Sequence, residues 1–371
     1  NDNVWVLTAN HTYTGTTTIT GGTMQLGNNT TTGSVSGNIV NNATLIFNRS
    51  NDIEYSFVIS GTGTVYQSGT ARLNIRGTQT YTGPTIVSSG ELKLGGWTAP
   101  SATRQLAVGN IVTVQAGATL IVSGLTGSND NNEILGGLQG DGTVTTDNAV
   151  TIARLTVQNT ANYTFSGQII GNERLLLIKS GTGTFTLSGN NSYNGTTTVS
   201  QGILRIGSPT ALGSVMGETT IASGAAIDLN GITYENLEPL SIAGTGVSSS
   251  GVLYNSNVTP ALFPGAITVT AASTISATNQ ITLSGTISAS SENITKTGTS
   301  ALVFASNTVS VFNLHIAAGT LNAGSSTINV YANFTNSGTF IPSTSTVIFR
   351  GSVSQTIPGV SFYNCTIQNF D

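Results

Sequence analysis

Apolar and polar residues along this chain alternate over very short stretches and then stop. TTTIT (16–20), TMQL (23–26), ELKL (91–94), TLIV (119–122), FTL (185–187) and ILRI (203–206) all follow this period of two. Gly, Asn or Ser bounds these stretches. Such a pattern predicts many short β-strands joined by sharp corners. Apart from a candidate turn near Thr98 to Leu106, nothing between corners is long enough for a regular helix.

The strands recur in a fixed order. One signature occurs three times: Tyr, Gly two residues on, Gly seven further, Gly five further. Its copies are Tyr13, Gly15, Gly22, Gly27; Tyr81, Gly83, Gly90, Gly95; and Tyr193, Gly195, Gly202, Gly207. Gly69 and Gly181 both lie twelve residues before the Tyr, and Gly77 and Gly189 four before. A worn fourth copy keeps Gly298, Gly319 and Gly324 but has Ser310 in the Tyr position. Each full copy is followed by VNNATLIF (40–47), VQAGATLIV (114–122) or IASGAAIDL (221–229), and then by ISGTGTV (59–65), LQGDGTV (138–144) or IAGTGV (242–247). Repetition at this period signals stacked supersecondary units.

Two architectures accept such a chain: a string of β-sandwiches or a parallel β-helix. Sandwiches need antiparallel hairpins, and only Asn194-Gly195 looks like a hairpin turn. The fold class predicted is therefore all-β, a parallel β-helix of about 20 residues per coil, in which equivalent side chains stack. At about 4.8 Å per coil it would extend on the order of 85 Å. Residues 1–259 hold the three repeat units. Pro260 and Pro264 mark a seam, and 260–371 is a divergent continuation.

The stretch 164–207 resembles the autotransporter-associated β-strand repeat, also called the passenger-associated transport repeat, of bacterial surface and secreted proteins. Phe165, Gly167, Lys179, Gly181, Gly183, Leu187, Gly189, Tyr193, Gly195, Gly202 and Gly207 fall on its pattern. Copies two and one match more loosely. The resemblance implies a right-handed parallel β-helix, exported across the envelope and usually not catalytic, with no catalytic motif to carry over. Segments 318–330 and 337–369 are similar to repeats of large surface proteins of gliding-type gram-negative bacteria. No translocator β-barrel pattern follows them, a departure that leaves the export route open.

Composition narrows the function classes. Charged residues make up 7%, with Lys+Arg 11 and Asp+Glu 15. Eleven scattered cations cannot form a nucleic-acid-binding face. No apolar run is long enough for a membrane-spanning helix. A single Cys, Cys365, excludes an internal disulfide, and a buried free thiol is expected there. The chain begins at Asn1 without a basic-then-apolar leader: either a signal peptide has been removed or the sequence is an excised piece, and the reading taken is a mature secreted protein, extracellular or at the bacterial cell surface.

Catalysis would need convergent carboxylates. Glu235 with Glu238, Glu133 with Asp130, and Asp141 with Asp147 are the candidate pairs. None occupies equivalent places in successive coils, so solvated loops are expected and no enzyme. Asn129 to Glu133 has the oxygen-rich look of a calcium loop but lacks a calcium-roll period, so a plain polar loop is favoured. His11 and His315 lack ligand-spaced partners, and no cofactor is implied. Tyr13, Tyr81 and Tyr193 are read as corner braces in preference to a glycan-binding stripe. Trp5 and Trp97 are the candidate exposed contacts, although ordinary packing is favoured for them.

Neither end of the chain shows a recognisable cap. Two explanations compete: the chain is cut from a longer solenoid, or copies of it stack and cap one another. The partners expected are copies of the chain itself, end to end or laterally, with surface glycans as a further class. The expected assembly contacts are Val4, Trp5 and Val6 at one end and Phe362, Tyr363, Ile367 and Phe370 at the other. The first functional reading is a structural stalk, adhesin body or filament subunit. The alternative is a polysaccharide-binding or polysaccharide-degrading β-helix.

Overall fold

The computed structural model describes residues 3–95, 105–123, 131–147, 152–351 and 354–368. The chain is a β-solenoid of about 16 turns with about 21 residues per turn. It divides into two compact units, Asn1–Gly195 and Thr196–Asp371. The Pro260 to Pro264 segment lies inside the second unit, where Ala261–Phe263 is itself a strand.

In the first unit one ladder runs through Val4–Leu7, Thr23–Thr30, Thr44–Arg49, Thr64–Gln67, Thr85–Val87, Ile111–Val114 and Gly137–Gly140, each paired parallel to the next. A second runs through Ile53–Tyr55, Arg72–Ile75, Glu91–Leu94, Thr119–Val122, Thr143–Thr145 and Gln168–Ile169. The second unit repeats the plan from Thr197–Val199 through Thr219–Ile221, Leu240–Gly244, Ile267–Ser276, Ile287–Ala289, Thr308–Val311, Thr327–Val330 and Thr346–Phe349 to Asn364–Ile367. All pairings given for the described residues are parallel, which excludes the sandwich. No α-helix occurs among the described residues. A 3-10 turn at Val247–Ser249 is the nearest approach.

Because register repeats, each inward side chain stacks on its own equivalent. Leu73, Leu92, Leu120, Val144 and Ile169 form one such column, all at most 1% exposed. Ile267, Ile287, Val309, Ile328 and Val347 form another. The outward positions stack as well. Thr198, Thr220, Ser241, Thr268, Ser288 and Ser310 make an unbroken file of hydroxyls, exposed or half-exposed, one rung apart.

Glycine solves two problems at the corners. At Gly27 the backbone is left-handed (φ 86°), a conformation that strains any residue with a Cβ. At Gly83 the φ is ordinary, but a Cβ would strike the carbonyl of Gly63 in the preceding turn. Gly22, Gly90, Gly95 and Gly202 share the left-handed solution, whereas Gly195 stands against the Leu175 carbonyl. Gly15 has open space around it, and Gly207 keeps an ordinary φ.

Leu120 sits mid-column with neighbours above and below. Leu120→Ala is expected to cost about 3 kcal/mol of stability, read as a lowered midpoint in urea unfolding followed by circular dichroism.

Candidate functional site

Four inner corners among the described residues are closed by a long donor two residues before a glycine. Gln25 Nε2 donates to the Gly27 carbonyl (2.8 Å), and Gln67 Nε2 to those of Gly69 (3.0 Å) and Ala71 (2.8 Å). Lys179 Nζ donates to Ser180 O (2.8 Å) and Gly181 O (2.7 Å). Lys296 Nζ reaches Gly298 O (2.7 Å), Ser300 O (2.7 Å) and Ala318 O (2.9 Å), the last one turn on. Both lysines are fully buried, and burial pulls each ammonium down to about 8. The sequence signal is Q/K-x-G at 25–27, 67–69, 179–181 and 296–298. Sequence reasoning placed Lys179 on a repeat pattern and missed what the position does.

The tyrosines brace the corners unequally. Tyr81 is fully buried and its hydroxyl bonds Thr85 Oγ1 (2.7 Å). Thr85 Oγ1 donates to Asn110 Oδ1 (2.8 Å), and Asn110 Nδ2 donates to Gly83 O (2.8 Å), closing a buried network. Tyr193 is also fully buried. Tyr13 makes the same bond to Thr17 (2.7 Å) but is 44% exposed. The tyrosines therefore form no continuous exposed stripe.

The acidic residues do not lie as the sequence pairs suggest. Glu133 is not in a solvated loop. It is buried in Asn131–Leu135 and accepts the N–H groups of Gln105 (3.0 Å) and Leu106 (2.9 Å). Both its oxygens are thus spent on backbone, and its expected partner Asp130 lies outside the described residues, as does Asn129. Glu238 is likewise buried, while Glu235 is exposed. Burial pushes the Glu238 carboxyl up to about 8, against the Thr219 hydrogen bond (2.8 Å) and with help from the Glu218 charge. Burial also opposes ionisation of Asp147, but its bonds from Lys93 (2.6 Å) and Ser123 (2.6 Å) win and hold it below the usual carboxylate range. Asp141 stays in an exposed turn. Further cross-turn pairs, Arg72 with Glu91 (2.6 Å) and Arg76 with Glu54 (2.8 Å), absorb more of the scarce charge. His315 Nδ1 bonds the Thr335 hydroxyl (2.7 Å), and no group of three or more metal-binding side chains occurs among the described residues.

Two of the cavities among the described residues lie in the first unit. One, about 300 Å³, is bounded by Trp5, Leu7, Tyr13, Ile19 and Met24. Trp5 stands in the inward column above Met24 and Leu45 and is 71% exposed; among the described residues Val4–Leu7 pairs with Thr23–Thr30 alone. Val4 and Val6, at alternate positions of the same strand, are 56% and 43% exposed. The other cavity, about 250 Å³, draws on three successive turns through Asn10, Gly33 to Val35, and Phe47 to Phe57.

In the second unit, among the described residues, Asn364–Ile367 pairs with Thr346–Phe349 alone. Cys365 and Ile367 continue the inward columns of Val347 and Phe349, but no described strand stacks beyond them, so both are exposed. The expectation of a buried thiol is overturned for that reason. Tyr363 is also exposed. Phe362 is half-buried and closes an aromatic cluster with Phe334, Phe340 and Phe349, at centroid distances of 6.3, 5.9 and 5.9 Å. Trp97 and Phe370 lie outside the described residues.

Lys296→Met removes the donor from three carbonyls and is expected to cost about 3 kcal/mol. Lys296→Gln should recover part of that loss, since glutamine fills the equivalent corner at Gln67. Urea titration distinguishes the two. For Glu238 the folded carboxyl holds its proton to higher pH than the unfolded one, so wild-type stability falls as pH rises from about 4.5 to about 8. Glu238→Gln should match wild type near pH 4 and exceed it increasingly up to pH 8, as read by thermal melts across pH.

The passenger-associated transport repeat matches residues 2–26, 65–94 and 177–206. A 112-residue stretch is 38% identical to "Adhesin BmaC autotransporter" of Brucella suis biovar 1 (strain 1330), covering 30% of this chain and 3% of that protein. The chain therefore spans only a small part of that relative's length. No solved structure matches.

Proposed function

We propose that this chain, which carries three passenger-associated transport repeats, is an extracellular, adhesin-like structural segment of a bacterial surface protein. The observation that carries the reading is the stacking of like on like within each unit. Apolar columns run inside, hydroxyl files run outside, and the buried corner donors are committed to backbone carbonyls. Such a body presents a neutral surface and hides most of its backbone from proteases. The adhesin relative and the transport repeats support placement at the cell surface.

The segment is non-catalytic in this reading. Glu133 is spent on backbone N–H groups, Glu238 is buried apart from Glu235, and the Asp147 carboxylate is bound by Lys93 and Ser123. Self-association through residues 1–8 and 361–370 is the finer form of the proposal. It is supported by the low charge of the chain, 7% charged residues, which leaves little repulsion to oppose association.

Two measurements test it. Proteinase K shaving of intact cells that export the chain should find it accessible to antibody outside and slow to digest, and retention inside the cell would refute the localisation. Sedimentation velocity should show concentration-dependent assembly that is lost when residues 361–371 are deleted. A monomer at every concentration would refute the self-association.

A further inference from the structure

The 250 Å³ cavity of the first unit is built around a buried cation that no carboxylate neutralises. Arg49 is 6% exposed. Its Nη1 donates to Gly33 O (2.8 Å), its Nη2 to Thr31 O and to Asn51 Oδ1 (3.0 Å), and its Nε to Asn51 Oδ1 (3.2 Å). Every one of these partners is neutral. A guanidinium has five N–H groups, and these bonds use one on Nε, one on Nη1 and two on Nη2, so one Nη1 hydrogen is left over. Burial without a counter-charge lowers the affinity of Arg49 for its proton, and a bound anion would relieve that cost.

The rest of the lining has a definite chemistry. Asn10 Oδ1 is occupied by Gly33 N (3.0 Å) and Ser34 Oγ (3.0 Å), which leaves its amide N–H₂ as a donor without a protein partner. Phe47, Tyr55 and Phe57 stand edge to face, with centroids 5.4 and 5.8 Å apart. The Tyr55 hydroxyl is spent on Gly37 O (2.9 Å), so that ring offers only apolar surface to a ligand. Phe57 is 37% exposed. Glu54 also lines the cavity, but its carboxylate is held by Arg76 (2.8 Å), and it offers an acceptor for hydroxyls more than an opposing charge.

We propose that this cavity binds a carboxylated monosaccharide, such as a uronic acid residue of an acidic glycan, with the carboxylate at Arg49 and the C–H face of the ring on Phe57. Hydroxyls of the sugar meet Asn10 and Glu54. The volume lies just below that of pockets for drug-sized ligands, the scale of one sugar ring. Charge-assisted bonding to a guanidinium sets the preference for the acid over its neutral analogue.

The test is ligand-observed saturation-transfer NMR and calorimetry on the whole chain, with glucuronate and galacturonate against glucose and galactose. Glucuronate or galacturonate should bind at least tenfold more tightly than its neutral counterpart. Phe57→Ala should weaken uronate binding at least fivefold while the chain stays folded by circular dichroism, and Arg49→Gln should abolish the acid preference. Equal affinity for acid and neutral sugars, no binding by any of them, or uronate binding untouched by Phe57→Ala would overturn the proposal. Because Phe57 is a partly exposed wall residue, the test survives even if Arg49→Gln fails to fold.

Discussion

Parallel backbone pairing at constant register is the constraint from which the rest follows. Once Leu92 lies over Leu73 and under Leu120, each residue of the strand Glu91–Leu94 meets its equivalent on both sides. The choice at each position is then made for a whole column. An apolar column is self-consistent, because identical neighbours fill identical spaces. A charged column is not, because like charges would sit one rung apart. The scarcity of charge in this chain follows from that arithmetic, and its ion pairs are built across turns from opposite signs.

The corners present the opposite problem. Turning the chain inward leaves carbonyls that no strand can satisfy. This protein answers with side chains long enough to reach back from the preceding strand. Gln25, Gln67, Lys179 and Lys296 all point at carbonyls, and carbonyls do not discriminate between an amide and an ammonium except in strength. Arg49 is a variant of the same device, anchoring the carbonyls of Thr31 and Gly33 from the turn above. What separates it from the others is the cavity that it lines together with Asn10, Glu54 and Phe57.

Much of this was legible in the chain. The Tyr-Gly-Gly-Gly spacing exposed the repeat; that the Thr four residues after Tyr13 and Tyr81 shares a hydrogen bond with the tyrosine hydroxyl came from the structure. What sequence could not supply was burial at individual positions. Glu133 and Glu238 look like loop carboxylates, because whether an acidic side chain is enclosed depends on which turn stacks on it and how far the linkers bulge. Cys365 looks like a core residue, and would be one, if a further strand lay across it. The Arg49 cavity was invisible for a related reason: its walls come from three turns whose linkers differ in length, and no local motif encodes their meeting.

The hydroxyl file from Thr198 to Ser310 has a physical consequence for the medium in which such a protein can live. Surfaces kept wet by charge lose mutual repulsion as counterions accumulate, and they clump in brine. Alcohol groups hydrate by hydrogen bonding, on which counterions have little purchase. A face of this kind should stay solvated from dilute pond water to concentrated sea salt.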